Sequence, residues 1–270
     1  MRFLTDKSSL VRLSESVKVG MDSCLTSSGA VLAMYERHRE AIESGQALAK
    51  QLEAEEASLE EMDAALKRIA ESVPQDDAWE AVRMQGVLHN QALSTVLMCC
   101  FCLESYVNNL AFHLFQEQDY LGLNSSGKGG SYDIIVGAIE KMSVRDKWAR
   151  LGEMSGGSFD RSRFPFQDFS YLFNFRNDVV HDKVIAIGSD RASRRYNGKF
   201  PDPASGLLTL SHAVYAGDVY WGMVTEVVRI LDLDEEAFHK HYNLTPWHSD
   251  EHRSTLAGVA QRYSALFPGF

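Results

Sequence analysis

WEAVRMQGVLHNQALSTVLMCCFCLESYVNNLAFHLF, residues 79–115, is the stretch on which the fold turns. It holds no proline, and its apolar residues recur at spacings of three and four, the repeat of a helix with a buried face. Read as one helix, kinked near Gly86, it spans about 55 Å and would organise everything packed along it. Its most apolar run, Val96 to Leu103, ends after eight residues at Glu104. A bilayer-spanning helix needs roughly 20, so a buried helix segment is expected here, with no membrane partner. Cys99, Cys100 and Cys102 crowd into this run and Cys24 stands alone. Neighbouring thiols point in different directions around a helix, which argues against a disulfide framework and for reduced cytosolic cysteines.

The rest of the 270-residue chain supports an all-α reading, with only six prolines and 45% apolar residues. The opening MRFLTDKSSLVRLSES has no basic flank followed by an unbroken apolar stretch, so no export signal is read and a cytoplasmic protein is expected. Residues 1–30 read as an irregular lead-in with a short helix, followed by a helix over Val31–Ile42 and a break at Gly45. Leu48, Leu52, Leu59, Met62, Leu66, Ile69 and Val73 then form a narrow seam flanked by Glu and Lys. That seam suits an intramolecular hairpin or an intermolecular coiled coil. Pro74 stops it, and Asp76 or Asp77 is placed to cap the next helix.

Beyond the long helix, LGLNSSGKGGSYD (121–133) reads as a linker, because GKGG lacks the preceding strand, the first glycine and the following Ser or Thr of a phosphate loop. Further helices are expected over 133–154, 167–182, 212–231, 235–242 and the tail after Ser249 or Asp250. KVIAIG (183–188) and GLLTLSH (206–212) are the only candidates for a small hairpin. The organisation read from this pattern is an N-terminal acidic helical arm or hairpin (1–75), a helical bundle (76–232) and a helical extension (233–270).

Charge is unevenly spread. The chain carries −10 overall, yet thirteen acids face five bases between Glu36 and Glu80, while twelve bases face seven acids between Lys141 and Lys199. The first region is a candidate surface for a protein partner, and the second admits an anionic ligand.

On a helical wheel of residues 167–181, Gln167, Ser170, Tyr171, Asn174, Asn177, Asp178 and His181 share a polar face, and Phe169, Leu172, Phe173, Val179 and Val180 lie opposite. Arg176 falls among the apolar residues. A buried guanidinium without a partner costs several kcal/mol, so Arg176 must meet a carboxylate, face a subunit interface or reach an anion site. Glu104, the lone acid in the apolar run, is the most suggestive partner.

FRNDVVHDK (175–183) resembles the signature of the HEPN superfamily, in which Arg, usually Asn, a short spacer and His close a helix. Arg176, Asn177 and His181 match its three polar positions. CLESYVNNLAFHLF (102–115), VRDKWARL (144–151), PFQDFSYLFNFRNDVVH (165–181) and residues 212–231 are similar to the core helices of these domains in order. The similarity covers about residues 85–232. It implies an all-α, HEPN-like bundle that forms a homodimer with two motifs facing across a cleft, and for many such domains a metal-independent endoribonuclease activity, as in toxins and defence effectors. It equally implies an alternative, a catalytically silent module that uses the bundle to dimerise and the acidic arm to hold an antitoxin or other protein.

The residue types suit RNA cleavage. A histidine near neutral pKa exchanges protons with a ribose 2′-hydroxyl or the leaving oxygen, and an arginine stabilises charge on the phosphate. Asn177, four residues before His181, can orient the imidazole; Glu104 and Asp178 are supporting candidates. RNA brings its own nucleophile, so no metal or other cofactor is expected. On an ideal helix Arg176 and His181 point about 140° apart. The helix therefore ends before His181, or Arg from one subunit works with His of the other, or Arg176 is structural. Arg191, Arg194, Arg195 and Lys199, with Tyr196 and Phe200 interleaved, form a loop suited either to an RNA backbone and a stacked base or to plain solvation. His239, His241, His248 and His252 lack a cysteine partner and are interrupted by Pro246, so no metal site is read there. Lys147 and Trp148 are expected in core and rim packing.

Overall fold

A computed structural model describes residues 7–54, 74–114, 141–154, 157–180, 194–203, 206–232 and 250–266, with isolated positions between 58 and 71 and at 234 and 236. Among them the chain is 84% helical and holds no strand, an all-α fold. Among the described residues seven helices follow one another: α1 (Lys7–Arg37), α2 (Arg39–Ala54), α3 (Gln75–Leu114), α4 (Val144–Met154), α5 (Phe166–Val180), α6 (Leu210–Ile230) and α7 (Asp250–Leu266). His181, Arg191, the strand candidate 183–188, the linker around GKGG, most of the 59–73 seam and the 235–242 helix lie outside the described residues.

The centre is α3, which passes through Gly86 as one 40-residue helix. Against its length lies α1, and this overturns the expectation of an irregular lead-in. Val17, Met21, Cys24, Ser28, Val31 and Tyr35 are buried at spacings of four and three, a regular seam facing Leu88, Ala92, Val96 and Cys99 of α3. The seam is hard to see in sequence because Ser28 interrupts it and small residues such as Gly20 stand beside it. A Cβ at Gly20 would lie 2.3 Å from Thr95 Oγ1, so only glycine lets the two backbones approach this closely. From Val17 to Tyr35, α1 therefore packs into the same core as α3.

The α1–α2 corner falls at His38 rather than at Gly45, through which α2 continues. His38 donates its amide to Tyr35 O at 3.1 Å, and its Nε2 lies 2.8 Å from Asp77 Oδ2. Asp77 thus sits inside the first turn of α3 and ties the corner to it, where an N-cap had been expected. The expected 133–154 helix is broken at Met142–Ser143, where Ser143 Oγ accepts the Asp146 amide at 3.1 Å and starts α4.

Aromatic packing fixes α4 and α5 against α3. Trp148 is fully buried, stacked 6.4 Å from Tyr106 and edge-on to Phe159 and Phe169. Lys147 is buried beside it and donates Nζ to Asn108 Oδ1 at 2.7 Å. Residues 206–209 are irregular, and Leu210 already belongs to α6, so GLLTLSH is not a strand. Thr209 and His212 form a capping box there. The closing helix α7 buries Leu256, Ala260 and Tyr263 and lies against α1 and α6. Its Arg253 and Arg262 make exposed ion pairs to Asp218 and Glu36, and His252 Nε2 lies 3.3 Å from Asp22 Oδ1.

By length and composition Gln75–Asn108 would also suit a bilayer. In the bundle, 44% of its most apolar window is buried.

Candidate functional site

Arg176 sits one turn from the end of α5, on the side facing α3. Nη2 lies 3.4 Å from Glu104 Oε2, and Nη1 donates to Asn177 Oδ1 at 3.0 Å. The guanidinium lies 5.7 Å from the centre of the Phe101 ring. The pairing inferred from the lone acid in the apolar run is therefore present. Phe101, hidden in sequence among its apolar neighbours, adds a cation–π contact.

This is a loosely held arginine. Its side chain is 19% exposed and that of Glu104 34%, and 3.4 Å is long for a charge-assisted bond. Nε is buried with no hydrogen-bond partner among the described residues. The carbonyl of Asn177 is turned to Arg176 and accepts from its guanidinium; His181, the expected partner of the Asn177 amide, lies outside the described residues. All four cysteines are buried and free of disulfides. Burial pushes the Cys100 thiol well up, with the charge of Arg176 opposing and that of Glu104 reinforcing the shift; a neutral thiol of this kind is a poor nucleophile.

Asp178 behaves differently from its place on the polar face of the wheel. Its carboxylate is buried, held by Arg195 through Nε and, at 2.9 Å, Nη2, and it accepts the Tyr196 hydroxyl at 2.6 Å. Burial, and then the neighbouring carboxylate, push the Tyr196 phenol up. Tyr196 is fully buried, edge-on to Phe175 and Phe200, which stack on each other at 4.4 Å. The 194–200 segment folds back as a clasp over α5. Two expectations are thereby corrected: Tyr196 has no free face on which to stack a base, and Arg195 is committed to Asp178, because an ionised acid this deeply buried requires a cation. Lys199 is exposed and lies 5.3 Å over the Tyr215 ring, whose hydroxyl donates to Asp168 at 2.7 Å. Arg194 is exposed.

An open cavity of about 700 Å³ lies between α1 and α3, lined by residues including Glu15, Val19, Gly20, Val87 and Gln91. It brings together no acid–base pair suited to proton transfer, and Gln91 is about 20 Å along α3 from Glu104. His252 pairs with Asp22 at 3.3 Å, and among the described residues no three His, Cys, Asp or Glu side chains converge as metal ligands. Compared with protein-family models, curated proteins and solved structures, the chain matches none.

Proposed function

We propose that the chain is an endoribonuclease of HEPN type that cleaves by 2′-hydroxyl attack without a metal, acting in the cytoplasm as a toxin or defence effector. In this reading it works as a homodimer, with Arg176 of one copy and His181 of the other meeting around one phosphodiester. His181 removes the 2′-hydroxyl proton, the 2′-oxygen attacks phosphorus, and the 5′-oxygen leaves with a proton. The products carry a 2′,3′-cyclic phosphate and a 5′-hydroxyl. Arg176 stabilises the charge that builds on the phosphate, positioned by Asn177 and Glu104, while Asp178 anchors the helix end. Arg191, Arg194 and Lys199 hold flanking backbone.

The observation that carries the reading is the state of Arg176: a partly exposed guanidinium whose ion pair to Glu104 is long, at 3.4 Å. A phosphate can displace so weak a partner at little cost. Val180, exposed four residues on, and Trp79, Val82, Val87 and Val19 are apolar surface that a second copy would cover.

A second reading rests on the same ion pair taken as complete, together with the withdrawal of Arg195 and Tyr196 into the fold. There the bundle is a silent dimerisation module whose acidic arm holds a protein. The test incubates purified wild type and His181→Ala with labelled RNA in chelator, beside the same sequence as DNA. Cyclic-phosphate ends from wild type alone, with DNA untouched, are expected; intact RNA in both lanes, or cutting of DNA, contradicts the ribonuclease.

A further inference from the structure

We propose that the loop from Asp160 to Phe164 is a platform for single-stranded RNA, on which Phe164 stacks a base while Arg161 and Arg163 take the neighbouring phosphates. It rests on the ribonuclease reading for the identity of its ligand, and is built from residues that reading does not use.

Phe164 is 55% exposed in a region where Phe159, Phe166, Phe169 and Phe173 are all buried. Its position is nevertheless fixed. The tip of the ring presses on α6 at Gly222, where an added Cβ would lie 2.6 Å from Cζ and 2.7 Å from Cε1. Absence of a side chain at 222 therefore gives the ring a seat while leaving more than half of the residue open.

The loop behind it is internally hydrogen-bonded. Asp160 Oδ1 accepts the Ser162 amide at 2.9 Å and its hydroxyl at 2.6 Å; Arg163 N donates to Asp160 O, and Gln167 N to Arg163 O. An aromatic ring held out by a pre-ordered loop loses little entropy when a base stacks on it.

The two arginines of the same loop, one and three residues before Phe164, are exposed and weakly engaged. Arg161 reaches Glu153 and Arg163 reaches Asp160, each at 3.4 Å, with the side chains of all four more than a third exposed. Such pairs contribute little and exchange readily for phosphate. Alternating aromatic and cationic side chains are what sequence-tolerant binding of a single strand requires, since every base has a π-face and every link a charge.

The placement also suits the proposed site. Phe164 lies two residues before α5 begins at Phe166, and Arg176 lies about 15 Å along that helix from its start, a span of a few nucleotides. Gln167, Ser170, Asn174 and Asn177 repeat at spacings of three and four along one side of that helix, all half-buried, and form a polar row from the platform to the site.

The test measures binding of a fluorescein-labelled octamer of 2′-O-methyl uridine, which lacks the attacking hydroxyl and so reports binding without cleavage. Phe164→Ala is expected to weaken binding about tenfold, with a melting temperature lowered by no more than about 2–4 °C. Phe164→Trp should keep wild-type affinity, and its added indole emission should be quenched by the RNA. Replacing both arginines by alanine should lower the slope of log affinity against log salt by about 0.7 for each.

If wild type does not bind the octamer, if Phe164→Ala binds as wild type does, or if that variant changes only the oligomeric state, the platform is wrong. The two proposals fail separately. Octamer binding that depends on Phe164, with unmodified RNA left intact, would sink the ribonuclease alone. Cleavage with a KM indifferent to Phe164 would sink the platform alone.

Discussion

Helix α5 presents two arginine–carboxylate pairs within three residues of each other, and they are opposites. At Asp178 the acid is sealed, its carboxylate 2% exposed, with a two-pronged arginine and a buried phenol. At Arg176 both partners reach solvent, the contact is 3.4 Å and one donor is unpaired. The first carboxylate is closed off by two bonds from Arg195 and one from Tyr196, while the second pair is a single long contact with both side chains partly open to solvent. The same two residue types thus make a lock in one place and an open pair, the proposed site, in the other; what separates them is the clasp 194–200, which covers one and not the other.

Breaking the lock should have the larger effect on stability. Asp178→Ala strands the buried Tyr196 hydroxyl and releases Arg195. Because Arg195 can turn to water, being about a third exposed, the cost is discounted to about 2–3 kcal/mol. Glu104→Gln, at the open pair, should cost under about 1 kcal/mol. Urea unfolding of both variants checks this; equal losses would erase the distinction.

A smaller effect sharpens the same contrast through pH. The lock side continues into the irregular strap before α6, where two consecutive amides donate to imidazoles: Leu208 N to His89 Nδ1 at 2.9 Å and Thr209 N to His212 Nδ1 at 3.0 Å. Both rings must be neutral to accept. Burial, with the charge of His89 adding to it, pushes His212 down to about 4, and burial also lowers His89.

An unfolded imidazole titrates near 6.5, so between about 4 and 6.5 the unfolded chain binds more protons than the folded one. The contribution is complete above 6.5 and is lost as pH falls toward 4. We expect wild type to be less stable at pH 5 than at pH 7 by about 1–2 kcal/mol on account of His212. His212→Gln, which preserves a capping-box acceptor without the titration, should flatten the dependence. An unchanged pH slope in that variant would contradict this account of the strap.

How much was legible in the chain follows from contrast between neighbours. The central helix, α5 and the extent of α6 to within two residues stand out because bulky apolar residues alternate with polar ones. The Arg176–Glu104 pair was legible for the same reason, as a lone acid in an apolar run needs a cation. The α1 seam was not, because close helix approach selects Gly20, Cys24 and Ser28, residues that carry little hydropathy signal. Tyr196 and Phe200 were misassigned because arginines and a lysine surround them; only the return of the clasp onto Asp178 turns those rings inward. Phe164 passed unnoticed in a segment with no periodicity, since its seat is a glycine 58 residues further on.

The central claim is that an arginine and a histidine from two copies act on one phosphate. Mixing Arg176→Ala with His181→Ala tests it directly. Each variant alone is expected to be inactive on unmodified RNA. After subunit exchange half of the dimers hold one chain of each kind, and each of these rebuilds one of two sites, so activity should return to about a quarter of wild type. A mixture as inactive as its components, beside an active wild type and with exchange verified, would contradict a site shared between subunits.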